Sequence, residues 1–143
     1  ARVARDADVV QFMAKTAAPL TKAEDGTWMR LFLRDGNAPA NTPHWEGNHY
    51  IVQPDVANRR FIVGRCKGGW DWEVAGEAQA VVSGDKVVYT VERAVLGLDR
   101  EGPLELHFKW TDNAPLVPQA LDLNDHGDCA PDGRFNFVYR AGD

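Results

Sequence analysis

Trp45 and Trp70 are the residues whose type and setting best suit ligand chemistry. Trp45 lies in the polar stretch Asn41-Thr42-Pro43-His44-Trp45-Glu46-Gly47-Asn48-His49, and Trp70 follows Gly68-Gly69 and precedes Trp72 by two residues. If that second segment is extended, Trp70 and Trp72 point to the same side. The chemistry they suggest is saccharide recognition. A sugar ring has an apolar face of axial C–H bonds and an equatorial rim of hydroxyls. A flat indole removes the first from water, and planar polar side chains fix the second. The candidate ligand-binding set is therefore Trp45, Trp70 and Trp72 with His44, Asn48 and His49. The competing reading is packing, because a tryptophan beyond a glycine pair also caps a sheet edge.

Catalytic constellations are missing from the pattern. The single serine, Ser83, sits in a turn sequence without a GxSxG context, and His44, His49, His107 and His126 show neither HExxH nor short HxH spacing. His107 is expected to point outward from a strand whose other face carries Leu104, Leu106, Phe108 and Trp110. Asp122, Asp125 and Asp128, with Asn124 and Asp132 among glycines, offer the hard oxygen donors that calcium takes, although not in EF-hand order. The same residues also form turns by bonding their own backbone. Cys66 and Cys129 lack CxxC spacing, which argues against zinc and leaves either one disulfide or two buried thiols.

The elements that must position these residues read as strands. Alternation predicts strands over 9–15, 27–33, 49–53 and 60–66, and a hairpin of 72–82 with 86–93 across Ser83-Gly84-Asp85. Ala94-Val95-Leu96-Gly97-Leu98 reads as one helical turn stopped by glycine. Pro103 then opens the strand 104–110, and a last strand closes the chain near 134–139. Trp28, Phe32 and Trp110 are assigned to the core, the first two because they share parity on the second strand. The fold class expected is all-β, a β-sandwich of two antiparallel sheets with about nine strands and one helical turn near 94–98. The two longest irregular stretches, 35–47 and 112–133, are where a site is expected.

A chain of 143 residues suits one domain covering 1–143. With 44% hydrophobic and 26% charged residues it is neither disordered nor membrane-embedded, and no apolar run is long enough to span a bilayer. The net charge of -5, with Lys and Arg scattered, disfavours nucleic acid as a partner. No signal-peptide core is visible in the first residues.

The residues also carry a family resemblance. Trp28-Met29-Arg30-Leu31-Phe32-Leu33, His44-Trp45-Glu46-Gly47, Gly69-Trp70-Asp71-Trp72, Glu92-Arg93-Ala94-Val95-Leu96-Gly97-Leu98, Phe108-Lys109-Trp110-Thr111-Asp112-Asn113 and Gly133-Arg134-Phe135-Asn136-Phe137-Val138-Tyr139 follow one another in this order. The chain resembles family 9 carbohydrate-binding modules and their DOMON-like relatives over nearly its whole length. The resemblance implies a jelly-roll or immunoglobulin-like sandwich, sugar held by tryptophan stacking, and structural calcium. It also implies a secreted or cell-surface bacterial protein in which this domain, a monomer and not itself an enzyme, accompanies a catalytic domain such as a glycoside hydrolase. The expected partner is a polysaccharide or oligosaccharide. Leu33-Arg34-Asp35-Gly36 stands where the similar domains carry Asp-x-Asp, and Gly47-Asn48-His49 where they carry Gly-Tyr-Asp.

Two other readings stand beside it. One is an accessory domain that packs on a catalytic neighbour and binds nothing. The other is a haem-binding DOMON-type domain using side chains such as Met13, Met29, His107 or Lys109.

Overall fold

Val10, Phe12 and Ala14 alternate with Gln11, Met13 and Lys15, and in the computed structural model the first three are buried while the second three are half-buried or exposed. That period of two is the signature of a strand with one face on a core. The structure describes residues 2–5, 8–15, 28–98, 104–112, 128–130 and 137–141. Among them lie ten strands: β1 (Arg2–Arg5), β2 (Val9–Lys15), β3 (Arg30–Asp35), β4 (Tyr50–Asp55), β5 (Arg60–Gly68), β6 (Asp71–Ser83), β7 (Lys86–Glu92), β8 (Leu104–Asp112), β9 (Asp128–Ala130) and β10 (Phe137–Ala141). The protein is all-β, and among the described residues every pairing between strands is antiparallel.

The strands form one continuous path, β1-β2-β7-β6-β5-β4-β3-β8-β10, with β9 on β8. The expected separation into two sheets gives way at β6. Its residues 71–78 pair with β5 and its residues 79–83 pair with β7, so one long strand belongs to both halves. Register shifts between Val63 and Gly64 and between Cys66 and Gly68 sharpen the local twist. The sheet therefore rolls over on itself, and β2 and β7 come to face β8 across the core. Phe12 meets Phe108 edge-on at 6.0 Å, the Tyr89 ring lies 5.2 Å from Trp110, and the Tyr89 hydroxyl donates to the Met29 carbonyl at 2.8 Å.

Leu104, Leu106, Phe108 and Trp110 form the inward face expected of them. Trp28 and Phe32 do not share a face. Met29 has φ 40, a left-handed conformation that breaks strand parity, so β3 starts at Arg30 rather than Thr27. Trp28 packs into the main core against Phe61, and Phe32 joins a second cluster on the reverse side of the sheet with Trp45, Ile51 and Cys66. Arg30, two residues from Phe32, is fully buried, and Lys109, cross-strand from Phe32, is 2% exposed.

Residues 94–98 are a run of turns rather than a helix. Leu98 N–H donates to the Arg93 carbonyl and Gly97 N–H to that of Ala94, with Gly97 at φ 65. This is the closure that a left-handed glycine permits. Gly76 lets the run approach β6, because a Cβ there would lie 2.9 Å from the Val95 methyls. The one short helix among the described residues is a 3-10 turn at Val56–Asn58, at the β4–β5 corner.

Candidate functional site

Trp45 owes its position to a two-residue hairpin. Trp45 and Asn48 exchange both main-chain hydrogen bonds, at 2.9 and 2.8 Å, and Glu46 and Gly47 at the tip have φ 48 and 85. Positive φ at both central positions is the primed turn that matches the twist of adjoining strands. The hairpin folds the Trp45 indole against the sheet, leaving the residue 7% exposed. Its ring centroid is 5.1 Å from Phe32 at 31° and 4.9 Å from Trp70, nearly perpendicular. Trp70 in turn meets Trp72 at 5.4 Å and 86°. The Arg30 guanidinium lies 5.6 Å from the Trp70 ring centroid, within cation–π reach.

The three indoles named from the sequence thus meet, but as a packed cluster. Trp45 is core to that cluster, while Trp70 and Trp72 are half-buried at its margin. The turn before Trp70 is held by Cys66, whose Sγ donates to the Gly69 carbonyl at 3.2 Å and accepts from Gly68 N–H at 3.3 Å. Cys66 is a free, buried thiol, and burial pushes its ionisation upward. Of the two states left open for the cysteines, the thiol is the one observed for Cys66. Only the backbone of Cys129 is described.

The polar members of the set separate. His44 is exposed, and its Nδ1 accepts Gly47 N–H at 3.0 Å, bracing the hairpin. Asn48 is 3% exposed and closes the turn. His49 is buried between β3 and β5. Its N–H donates to the Leu33 carbonyl, its carbonyl accepts Cys66 N–H, and its Nδ1 accepts Asp35 N–H at 3.1 Å. Burial pushes the His49 ring below its ordinary 6.5. The Asp35 carboxylate opposes this shift, and Arg34 and His44 reinforce it.

His49 borders an open cleft of about 700 Å³, within the range of small-ligand sites. Residues 37–43 form one wall, through Asn37, Ala38, Pro39, Thr42 and Pro43, and Leu96 and Gly97 form another. Tyr50 from β4, Arg65 and Lys67 from β5 and Glu73 from β6 complete it. A smaller hollow of about 270 Å³ lies behind the same wall and is bordered by Arg34, His44 and Gly47. Asp35 and His49 reach both.

Arg65 and Glu73 face each other across β5 and β6. Arg65 Nε and Nη2 both donate to Glu73 Oε1, at 2.8 and 2.6 Å. Both side chains are about half exposed, and both border the cleft. The long irregular stretch 35–47 borders this cleft through Asp35, Asn37, Ala38, Pro39, Thr42 and Pro43. Tyr50, Arg65 and Glu73 were missed because only the β5–β6 register brings them together; the visible signal was opposite charge on neighbouring strands.

Asp122 and Asp125 lie outside the described residues, as does the side chain of Asp128, whose backbone pairs with Asp112. Among the described residues no three His, Cys, Asp or Glu side chains converge as a metal site, and no helix is long and apolar enough to cross a membrane. His107 is half-buried and bonded to Glu105 Oε2 at 3.0 Å.

No family model, no curated protein and no solved structure matches the chain.

Proposed function

We propose that this chain is a non-catalytic carbohydrate-binding domain that takes a saccharide in the cleft between residues 37–43 and the β5–β6 strands. The observation that carries the reading is the cross-strand row Tyr50–Arg65–Glu73, an aromatic ring beside a half-exposed guanidinium and carboxylate, all bordering a cleft of sugar size. Neighbouring ring hydroxyls each donate and accept, so an adjacent guanidinium and carboxylate suit them. Tyr50, Pro39 and Pro43 supply apolar surface for the C–H face of the ring.

The engagement of the charged groups supports binding rather than catalysis. Glu73 is tied to Arg65 and Asp35 accepts Asn37 N–H at 2.9 Å, so both carboxylates are engaged as hydrogen-bond acceptors. Ser83 pairs with Lys86 at the tip of the β6–β7 hairpin and does not border the cleft.

The same reading takes the rolled sheet as a carbohydrate-binding-module-like β-sandwich whose two halves stand for its layers. It places the domain as a monomeric accessory unit of a larger secreted protein acting on carbohydrate, with calcium as a structural ion at Asp122, Asp125 and Asp128. A panel of plant, fungal and bacterial glycans tests it. Binding to at least one, competed by its free oligosaccharide, is expected. Failure to bind any member rejects the reading.

A further inference from the structure

We propose that the smaller hollow, bordered by Arg34, His44, Gly47 and His49, is a binding site for a small anion, a carboxylate or an inorganic oxyanion. Its volume of about 270 Å³ falls just under the range of drug-sized ligand pockets and leaves room for one charged group.

Two imidazoles border the hollow, and the backbone sets the tautomer of both. A backbone N–H can only donate. The bond from Gly47 N–H to His44 Nδ1 at 3.0 Å and the bond from Asp35 N–H to His49 Nδ1 at 3.1 Å therefore each occupy a ring lone pair. The proton of each neutral ring sits on Nε2. With Nδ1 engaged, neither ring keeps a lone pair for a metal ion, and the polar atom each has left is an N–H donor. The pair suits an acceptor and not a cation.

Arg34 brings the charge. The β3–β8 ladder fixes its backbone opposite His107, and its guanidinium reaches the hairpin tip, where a Cβ on Gly47 would lie 3.9 Å from Nη1. Gly47 is also the residue whose N–H His44 accepts, so guanidinium and imidazole meet there. On the other side, the residue that follows Arg34 donates to His49. Burial lowers the His49 ionisation most, the Asp35 carboxylate opposes the shift, and Arg34 and His44 add to it, so both act at the His49 ring. A guanidinium with two further N–H donors is a set that carboxylates, sulfates and phosphates take. Two carboxylates offset part of this charge. Asp35 borders the hollow with Oδ1 accepting Asn37 N–H, and Glu105 lies against Gly36 with Oε2 bonded to His107. A free anion is therefore held weakly. The inference does not depend on the carbohydrate reading.

The test follows the His44 and His49 ring nitrogens and the Arg34 Nε–H by NMR while sulfate, phosphate or acetate is added at constant ionic strength. Saturable shifts at all three groups with one dissociation constant are expected. The His49 midpoint should move upward, because a bound anion favours the imidazolium. Arg34→Gln, at an exposed position, should leave the fold intact and weaken binding about tenfold. A uronic-acid oligosaccharide separates the two sources of the anion. If it shifts the same groups and sulfate competes with it, the occupant is the charged group of an acidic saccharide; if only the inorganic ions saturate, the occupant is a free ion. The site is overturned if neither the simple anions nor the oligosaccharide gives saturable shifts at these groups, if Arg34→Gln leaves the shifts unchanged, or if either ring carries its proton on Nδ1 at neutral pH. Failure of every glycan with the sulfate shifts intact rejects the carbohydrate reading alone.

Discussion

The Trp45 indole lies 5.1 Å from the Phe32 ring at 31°, so one face of the indole best placed by sequence to stack on a sugar is already used inside the protein. Trp45→Ala should therefore act on stability first. Truncating a buried tryptophan costs about 3–5 kcal/mol, and urea unfolding should show a lowered midpoint of that order. A folded Trp45→Ala protein of unchanged stability that has lost glycan affinity would mean instead that the indole is a contact surface.

The hairpin that seats Trp45 carries a removable strain. Glu46 at φ 48 occupies a conformation that Asn and Gly adopt more readily. Glu46→Asn should stabilise the fold by about 0.5–1 kcal/mol. Gly47→Ala, at φ 85, should destabilise it by about 1–2 kcal/mol. Thermal unfolding of the two variants reads both signs, and a stabilised Gly47→Ala would contradict the turn assignment.

Arg65→Ala separates binding from folding. Both side chains of the Arg65–Glu73 pair are about half exposed, so solvent screens it and its loss should cost under about 1 kcal/mol of stability. Saccharide affinity should nevertheless fall about tenfold, equivalent to about 1.4 kcal/mol, in calorimetry.

How much of this was written in the sequence depends on the range of the interaction. Strands such as β2 and β8 announce themselves through alternation, because burial of one face is a local pattern. The reverse-face cluster was half legible: Trp45 and Trp70 could be named, but whether an indole stacks outward or inward depends on the left-handed turn at Glu46 and Gly47 folding it onto Phe32. A single residue, Met29 at φ 40, undid the parity that linked Trp28 to Phe32, and nothing in its side chain signals that conformation. The site itself is non-local. Asp35, Tyr50, Arg65 and Glu73 become neighbours only through the pairing of β3, β4, β5 and β6, and no spacing along the chain encodes that register.

Stability should depend on pH through His49. Its folded-state ionisation lies below the ordinary 6.5, so the native state binds fewer protons than the unfolded chain in the mildly acidic range. The stabilisation is fully present above 6.5 and is lost as pH falls towards the folded-state value. Thermal unfolding between neutral pH and pH about 5 should show a steeper decline for wild type than for His49→Asn. Equal slopes would mean that His49 is not held neutral by the fold.

The claim that the cleft, rather than the tryptophan cluster, receives the saccharide is tested most directly by following amide and indole signals during titration with a glycan the protein binds. The account predicts shifts centred on Asn37, Thr42, Tyr50 and Gly97, with the Trp45 indole N–H unmoved. Shifts confined to the Trp70 and Trp72 indoles, with the cleft amides unchanged, would contradict it.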